Sequence, residues 1–289
     1  MRVALIGAGR MGSAMGGRVA AAGHDLVVFN RTRSRADDLA QQTGAQVADT
    51  AREAAAAAEV CVVSLADDAA VTATYLDDSG LIAGLQAGAV VCDTSTVAPA
   101  TIGGLAPLVA QQDATLIDTP VSGSVSTVES GTLTIMVGGD QDALDRARPV
   151  LETFAKSIFH LGEVGAGATM KLVVNALIGA LNVAVSEALV LAEKAGLDRQ
   201  TVYDVFEASA VGAPYVKYKR EAFLRPGQVP VAFSLGLSAK DSELIHDLAE
   251  QVGARMDQGE ASRKLVAEAV SAGMAERDIS EVAEFLRRR

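Results

Sequence analysis

The chain opens Met1-Arg2-Val3-Ala4-Leu5-Ile6-Gly7-Ala8-Gly9-Arg10-Met11-Gly12. The apolar run Arg2–Ile6 reads as a strand, the glycines as a loop, and the segment running on to Ala22 as a helix. In such a unit Gly7 permits a tight turn, Gly9 lets a pyrophosphate approach the backbone, and Gly12 lets helix and strand pack closely. Unpaired amides at the positive helix end then face the phosphates. A bare GxGxxG also marks ordinary turns. Its setting after a strand, before a helix and ahead of a second strand, Leu26–Asn30, makes the difference. A dinucleotide site is expected, lined by Gly7, Ala8, Gly9, Arg10, Met11 and Gly12.

The end of the second strand bears on which dinucleotide. NAD enzymes place an Asp or Glu about 20 residues beyond the loop, on the ribose 2′-hydroxyl. Here the strand ends Phe29-Asn30-Arg31-Thr32-Arg33, with no acid. A guanidinium binds phosphate bidentately, and no carboxylate repels one. NADP is therefore expected over NAD, with Asn30, Arg31, Thr32 and Arg33 at the 2′-phosphate. The alternative is that Arg31 and Arg33 are solvated loop charges.

Further strands are expected at Val60–Ser64, Val90–Asp93, Thr115–Asp118, Leu133–Val137 and Ile158–Leu161, mostly separated by helical patterns. Continuous apolar runs such as VCVVSL fit strands buried on both faces, so the first part reads as a Rossmann-type, doubly wound α/β domain over residues 1–162. After the glycine-rich Gly162–Gly167 the period changes. Met170, Val174, Leu177, Leu181, Ala184, Ala188 and Leu191 form one apolar stripe on a helix of about eight turns ending near Gly196. Asp198 suits the next helix cap, and Asp278 with Glu281 suits a capping box. With no β pattern later, residues 163–289 are expected to form an all-helical domain, joined to the first by that long helix.

Composition limits the partners. Of 289 residues, 49% are hydrophobic and 21% charged, and the net charge of −11 repels nucleic acid. The basic end, Arg287 to Arg289, reads as a solvated tail. Cys61 and Cys92 lie in apolar runs and read as buried free thiols, which fits a reducing, cytoplasmic setting. No cleavable leader is expected behind Met1-Arg2. The uncharged, apolar stretch Leu172 to Ser186 is 15 residues and short of a membrane span, so a buried helix and no membrane partner are expected. His24, His160 and His246 are isolated, and no metal is expected. No nucleophile motif is present.

Four further segments follow in order: Asp118-Thr119-Pro120-Val121-Ser122-Gly123-Ser124 with Gly131–Gly139; Gly165-Ala166-Gly167; Lys171 with Asn175; and Lys240-Asp241. With the glycine loop, this series resembles the β-hydroxyacid dehydrogenase family, the group that includes 3-hydroxyisobutyrate dehydrogenase and tartronate semialdehyde reductase, over nearly the whole chain. The resemblance implies that Thr96, in the loop Asp93–Thr96, contacts the nicotinamide ribose. It places Leu65 and Ala66 over the cofactor, although Ala66 stands where the family has proline. Ser122 and Gly123 would clamp a substrate carboxylate, and Ser124, where glycine is common, would narrow the pocket or add a hydrogen bond. Lys240 would reach the cofactor from the helical domain, or else be an exposed charge beside Asp241.

The resemblance makes Lys171 the general acid/base and Asn175 its partner, holding Lys171 or the substrate hydroxyl. The residues themselves agree: four apart on a helix, they share a face beside an apolar stripe, where desolvation favours a proton-donating amine. The expected protein is thus an NADP-preferring oxidoreductase interconverting a small 3-hydroxy acid and its semialdehyde, with its cleft between the domains. The long helix carries more apolar surface than a small helical domain covers, so a homodimer or homotetramer through the helical domain is also expected. The alternatives are an imine reductase of the same fold and a non-catalytic nucleotide-binding scaffold.

Overall fold

Strand register explains the core of the first unit. A computed structural model describes residues 1–288. Strands β1 (Arg2–Ile6), β2 (Asp25–Phe29), β3 (Gln46–Val47), β4 (Val60–Val63), β5 (Val90–Asp93) and β6 (Thr115–Asp118) form an all-parallel sheet in the order β3-β2-β1-β4-β5-β6. Side chains alternate across it. Val3, Leu5, Val60, Val62, Val90 and Cys92 enter one core, and Ala4, Ile6, Cys61, Val63 and Val91 enter the other. Each fully buried Val or Ile contributes about 1.5–3 kcal/mol. Cys61 and Cys92 therefore sit on opposite faces, both free and buried.

Helices α1 (Arg10–Ala21), α2 (Arg33–Thr43), α3 (Ala51–Ala55), α4 (Asp68–Leu76) and α5 (Pro99–Ala110) connect these strands. Two begin on local caps: Thr50 accepts from the Glu53 amide and Asp67 from the Ala70 amide. The chain then adds a second sheet from β7 (Val121–Ser122), β8 (Leu133–Val137) and β9 (Ala155–His160), in the order β7-β8-β9. Helices α6 (Val125–Glu129) and α7 (Gln141–Leu151) lie between its strands in sequence. An isolated bridge between Asp118 and Gly138 joins β6 to the end of β8.

Two compact units result, Met1–Lys171 and Leu172 onward, so the first unit continues past the glycine-rich segment into the start of the long helix. That helix, α8 (Ala166–Lys194), has 29 residues. The second unit adds α9 (Arg199–Ala208), α10 (Pro214–Leu224), α11 (Leu235–Val252), α12 (Asp257–Ala269) and α13 (Val282–Arg287). Asp198 caps α9 through the Thr201 amide, as the sequence suggested.

Three expectations need correction. By length and composition α8 is long and apolar enough to cross a membrane; the count from Leu172 to Ser186 fell short because it stopped at the first charge on each side. The helix is also not buried all round. Leu172 and Leu189 are buried and Asn182 donates to the Ile279 carbonyl, whereas Met170, Val173, Leu177 and Leu191 are exposed. Lastly, Asp278 makes no capping box with Glu281. Its carboxylate accepts from the Ser280 amide and pairs with the buried Lys219 ammonium, at 2.7 Å from each oxygen.

Candidate functional site

The candidate cofactor residues of the first unit converge on the carboxyl ends of β2, β1, β4 and β5. The order of strands reverses between β1 and β4, the place where open α/β sheets bind ligands. Gly7 has φ of +102°, and a Cβ there would stand 2.3 Å from the Ser64 carbonyl oxygen. At Gly12 it would stand 1.9 Å from the Gly7 carbonyl oxygen. Both glycines are demanded by the protein's own packing. Gly9 differs, because a Cβ there would meet nothing within 4 Å. Its bare backbone, at the N-cap of α1 with no acid in the first turn, leaves room and positive potential for a phosphate.

Neighbouring loops are tied to this one. The Ala8 amide donates to Asn30 Oδ1 at 2.9 Å, and Asn30 Nδ2 donates to the Thr32 carbonyl. Asn30 thus holds the glycine loop through Oδ1 and its own strand end through Nδ2. Arg33 pairs with Asp49 and Asp37, while among the described residues no hydrogen bond or ion pair holds the exposed Arg31. Of the two arginines, Arg31 is the one available to an anionic ligand. Beyond β4, the Leu65 amide donates to Ser95 Oγ at 3.0 Å, which fastens the Leu65-Ala66 segment to the loop carrying Thr96.

Two buried carboxylates stand side by side at this edge, since Asp93 and Asp118 are register partners on β5 and β6. Asp93 accepts from the Tyr75 hydroxyl at 2.8 Å and from the Ser95 amide, shaping the turn before Thr96. Asp118 accepts from the Gly165 and Ala168 amides at 2.8 and 2.6 Å, at the start of α8. Burial pushes both carboxyls above the ordinary aspartate range despite these hydrogen bonds, and for Asp93 the neighbouring Asp118 adds to the rise.

At the proposed clamp, Ser122 lies on β7, half-buried. Gly123 has φ of +143°, and a Cβ would stand 2.2 Å from Thr127 Oγ1, so local packing alone requires glycine. Ser124 has local partners. Its amide donates to Thr127 Oγ1 at 2.7 Å, its carbonyl accepts from that hydroxyl, and its Oγ lies 2.8 Å from Ser126 Oγ. These bonds place Ser124 at the start of α6.

Lys171 and Asn175 lie one turn apart on α8. Asn175 Nδ2 donates to Asp241 Oδ2 at 2.7 Å, and Lys240 Nζ lies 2.9 Å from Asp241 Oδ1. A carboxylate only accepts, so the Asn175 amide is turned with Oδ1 away from Asp241. Asp241, 4% exposed, thus joins two predicted site residues and was not itself predicted. Nearby in sequence, Tyr215 is buried and donates to Asn182 Oδ1, and Phe233 packs on the core of the second unit.

Comparison with known proteins covers both parts of the chain. Residues 2–162 match the family model for the NAD binding domain of 6-phosphogluconate dehydrogenase. Residues 165–286 match the model for NAD-binding of NADP-dependent 3-hydroxyisobutyrate dehydrogenase. The chain belongs to the β-hydroxyacid dehydrogenase family. Among relatives, it is 33% identical to glyoxylate/succinic semialdehyde reductase 2 of Arabidopsis thaliana, over 99% of this chain and 79% of that protein. It is also 33% identical to NAD-dependent L-serine dehydrogenase of Pseudomonas aeruginosa, over 97% of this chain and 96% of that one. The structure of Mycobacterium tuberculosis 3-hydroxyisobutyrate dehydrogenase with L-serine is similar at a TM-score of 0.85, with 32% identity and 99% and 100% coverage. Within this β-hydroxyacid dehydrogenase, the contributions of Asp93, Asp118 and Asp241 were missed by sequence reasoning. Their partners include groups 18 to 66 positions away, and only an acid at a strand end or beside a predicted lysine hinted at them.

Proposed function

We propose that this β-hydroxyacid dehydrogenase interconverts a small 3-hydroxy acid and its semialdehyde, preferring NADP(H), with Lys171 as general acid/base. The observation that carries the reading is the carboxyl edge of the sheet. There a glycine loop leaves Gly9 open and Arg31 available, beside the loop that carries Thr96. A bound nicotinamide dinucleotide supplies or accepts the hydride. Reduction of an aldehyde leaves oxygen with negative charge, and Lys171 donates a proton to that oxygen; in oxidation the lysine amine takes it back. Asn175, its amide turned by Asp241, offers Oδ1 to the Lys171 ammonium or the substrate hydroxyl. Ser122 donates to the substrate carboxylate. Relatives named for glyoxylate, succinic semialdehyde and L-serine support a small carboxylate as substrate.

The same reading includes assembly with a second copy through α8. Met170, Leu177, Ala184 and Leu191 recur every seven residues, with Val173 and Ala188 beside them, and all are exposed. Leu177 and Leu191 are each 71% exposed, unusual for leucine in a run of this length.

The deciding experiment follows NADPH and NADH oxidation against succinic semialdehyde, glyoxylate and other semialdehydes, with cyclic imines as competitors. Wild type, Lys171→Ala and Arg31→Ala are compared. Turnover of a semialdehyde is expected, with kcat lowered about 100-fold or more by Lys171→Ala. Arg31→Ala is expected to weaken NADPH binding while leaving NADH unchanged. Undiminished turnover in Lys171→Ala overturns the mechanism, and equal efficiency with NADH overturns the cofactor preference.

A further inference from the structure

We propose that Asp118 is a positioning residue for the reaction: its carboxylate fixes the start of α8, and with it Lys171, against the strand end that leads into the Ser122-Gly123 turn. The inference rests on the reading of Lys171 as proton donor.

A helix start leaves amides without intrahelical partners, and most helices meet them locally. Asp67, Asp140 and Asp198 do this here, each accepting from an amide three residues on. At α8 there is no acid in the first turn. The acceptor comes instead from Asp118, 47 positions before Gly165 and 50 before Ala168, with one carboxylate oxygen on each amide. This cap is therefore a tertiary tie between two elements.

No side-chain layer separates the tied elements. A Cβ on Gly167 would lie 2.5 Å from the Met136 carbonyl oxygen and 2.8 Å from Asp118 Oδ2, and one on Gly138 would lie 2.6 Å from Asp118 Oδ1. Backbone meets backbone at this point, so the two hydrogen bonds themselves set the spacing. The Asp118 end is held equally firmly. Its amide donates to the Gly138 carbonyl at 3.0 Å and its carbonyl accepts from the Gly138 amide at 2.9 Å. The Thr119 amide donates to the Asp93 carbonyl, and the Pro120 carbonyl accepts from the Met136 amide.

Slack beyond the anchor is small on both sides. Lys171 follows Ala168 by three residues, less than one helical turn, and Ser122 follows Asp118 by four. One carboxylate thus serves as common origin for the proposed substrate clamp and the proposed proton donor. A shift of about 1 Å in such an alignment costs on the order of 100-fold in rate.

The test is a double-mutant cycle of Asp118→Asn and Lys171→Ala, read by steady-state reduction of the panel semialdehyde with the highest kcat/KM and by calorimetric titration with NADP+. Asparagine keeps the shape but turns an NH2 group toward one of the two amides, so one hydrogen bond is lost. Asp118→Asn is expected to lower kcat about tenfold or more, with NADP+ affinity unchanged. In the Lys171→Ala background the same substitution is expected to cost nothing further, because its effect runs through the lysine. An equal fold-loss with and without Lys171 overturns the proposal, as does an Asp118→Asn protein that no longer binds NADP+, since the carboxylate would then hold the whole unit together. Failure of the mechanism itself is distinguishable, because Lys171→Ala alone would then be without effect.

Discussion

Gly9 and Gly12 belong to one loop yet differ in what a methyl group would do at each. At Gly12 it collides with the Gly7 carbonyl, so Gly12→Ala is expected to lower the thermal midpoint of the ligand-free protein. At Gly9 it meets no protein atom, so Gly9→Ala is expected to leave that midpoint within about 1 °C and to weaken NADP+ binding at least tenfold. Thermal scans with and without NADP+ check both, and a Gly9→Ala protein that binds normally would remove the main support for a phosphate there. The loop was legible because its chemistry is local in sequence. Ser124 shows the reverse: spacing alone did not reveal the hydrogen bonds its backbone makes with Thr127 at the start of α6. Asp241 was passed over because its partner Asn175 lies 66 positions away.

At the scale of elements, the second unit is pinned by Lys219 and Asp278, 1% and 3% exposed. Asp278 also accepts from the Ala232 amide, fixing the segment that enters α11, the helix of Lys240 and Asp241. Burial is the largest single influence on the Asp278 anion and works against it, but the Lys219 ammonium and the Ser280 amide and hydroxyl together hold the carboxyl below its ordinary range. A depressed carboxyl contributes stability that is fully present above the unfolded value, about 4, and is lost as pH falls through the lower folded value. Lys219→Met leaves the carboxylate buried and unpaired, at an expected cost of about 3–5 kcal/mol at pH 7. Protonation then relieves the variant, so its deficit relative to wild type is expected to shrink between pH 7 and pH 4. Urea midpoints across that range check the sign, and a constant deficit would contradict the assignment. Strand identity was legible wherever four or more apolar residues ran together. β3 and β7, of two residues each, carry too little pattern to announce themselves, and the separate β7-β8-β9 sheet follows from pairing that periodicity does not encode.

For the molecule as a whole, the seven-residue seam on α8 predicts a mass in solution. Wild type is expected to sediment as a dimer or tetramer, and Leu177→Glu with Leu191→Glu as a smaller species. Unchanged mass in the double variant would rule the seam out as the contact. The change of hydrophobic period announced a Rossmann-like sheet followed by a helical part, but the tie from Asp118 to the Gly165 and Ala168 amides spans 47 and 50 positions, which no periodicity reveals. The two cysteines carry a last consequence. They lie back to back across the parallel sheet, too firmly on opposite faces to bridge, and burial pushes the Cys61 thiol up to about 12 and that of Cys92 higher still. Neither sulfur reacts readily until its layer of helices lifts away. Nature has thereby set one chemical clock under each side of the cofactor unit, and labelling of the two thiols times the parting of its front and back layers separately.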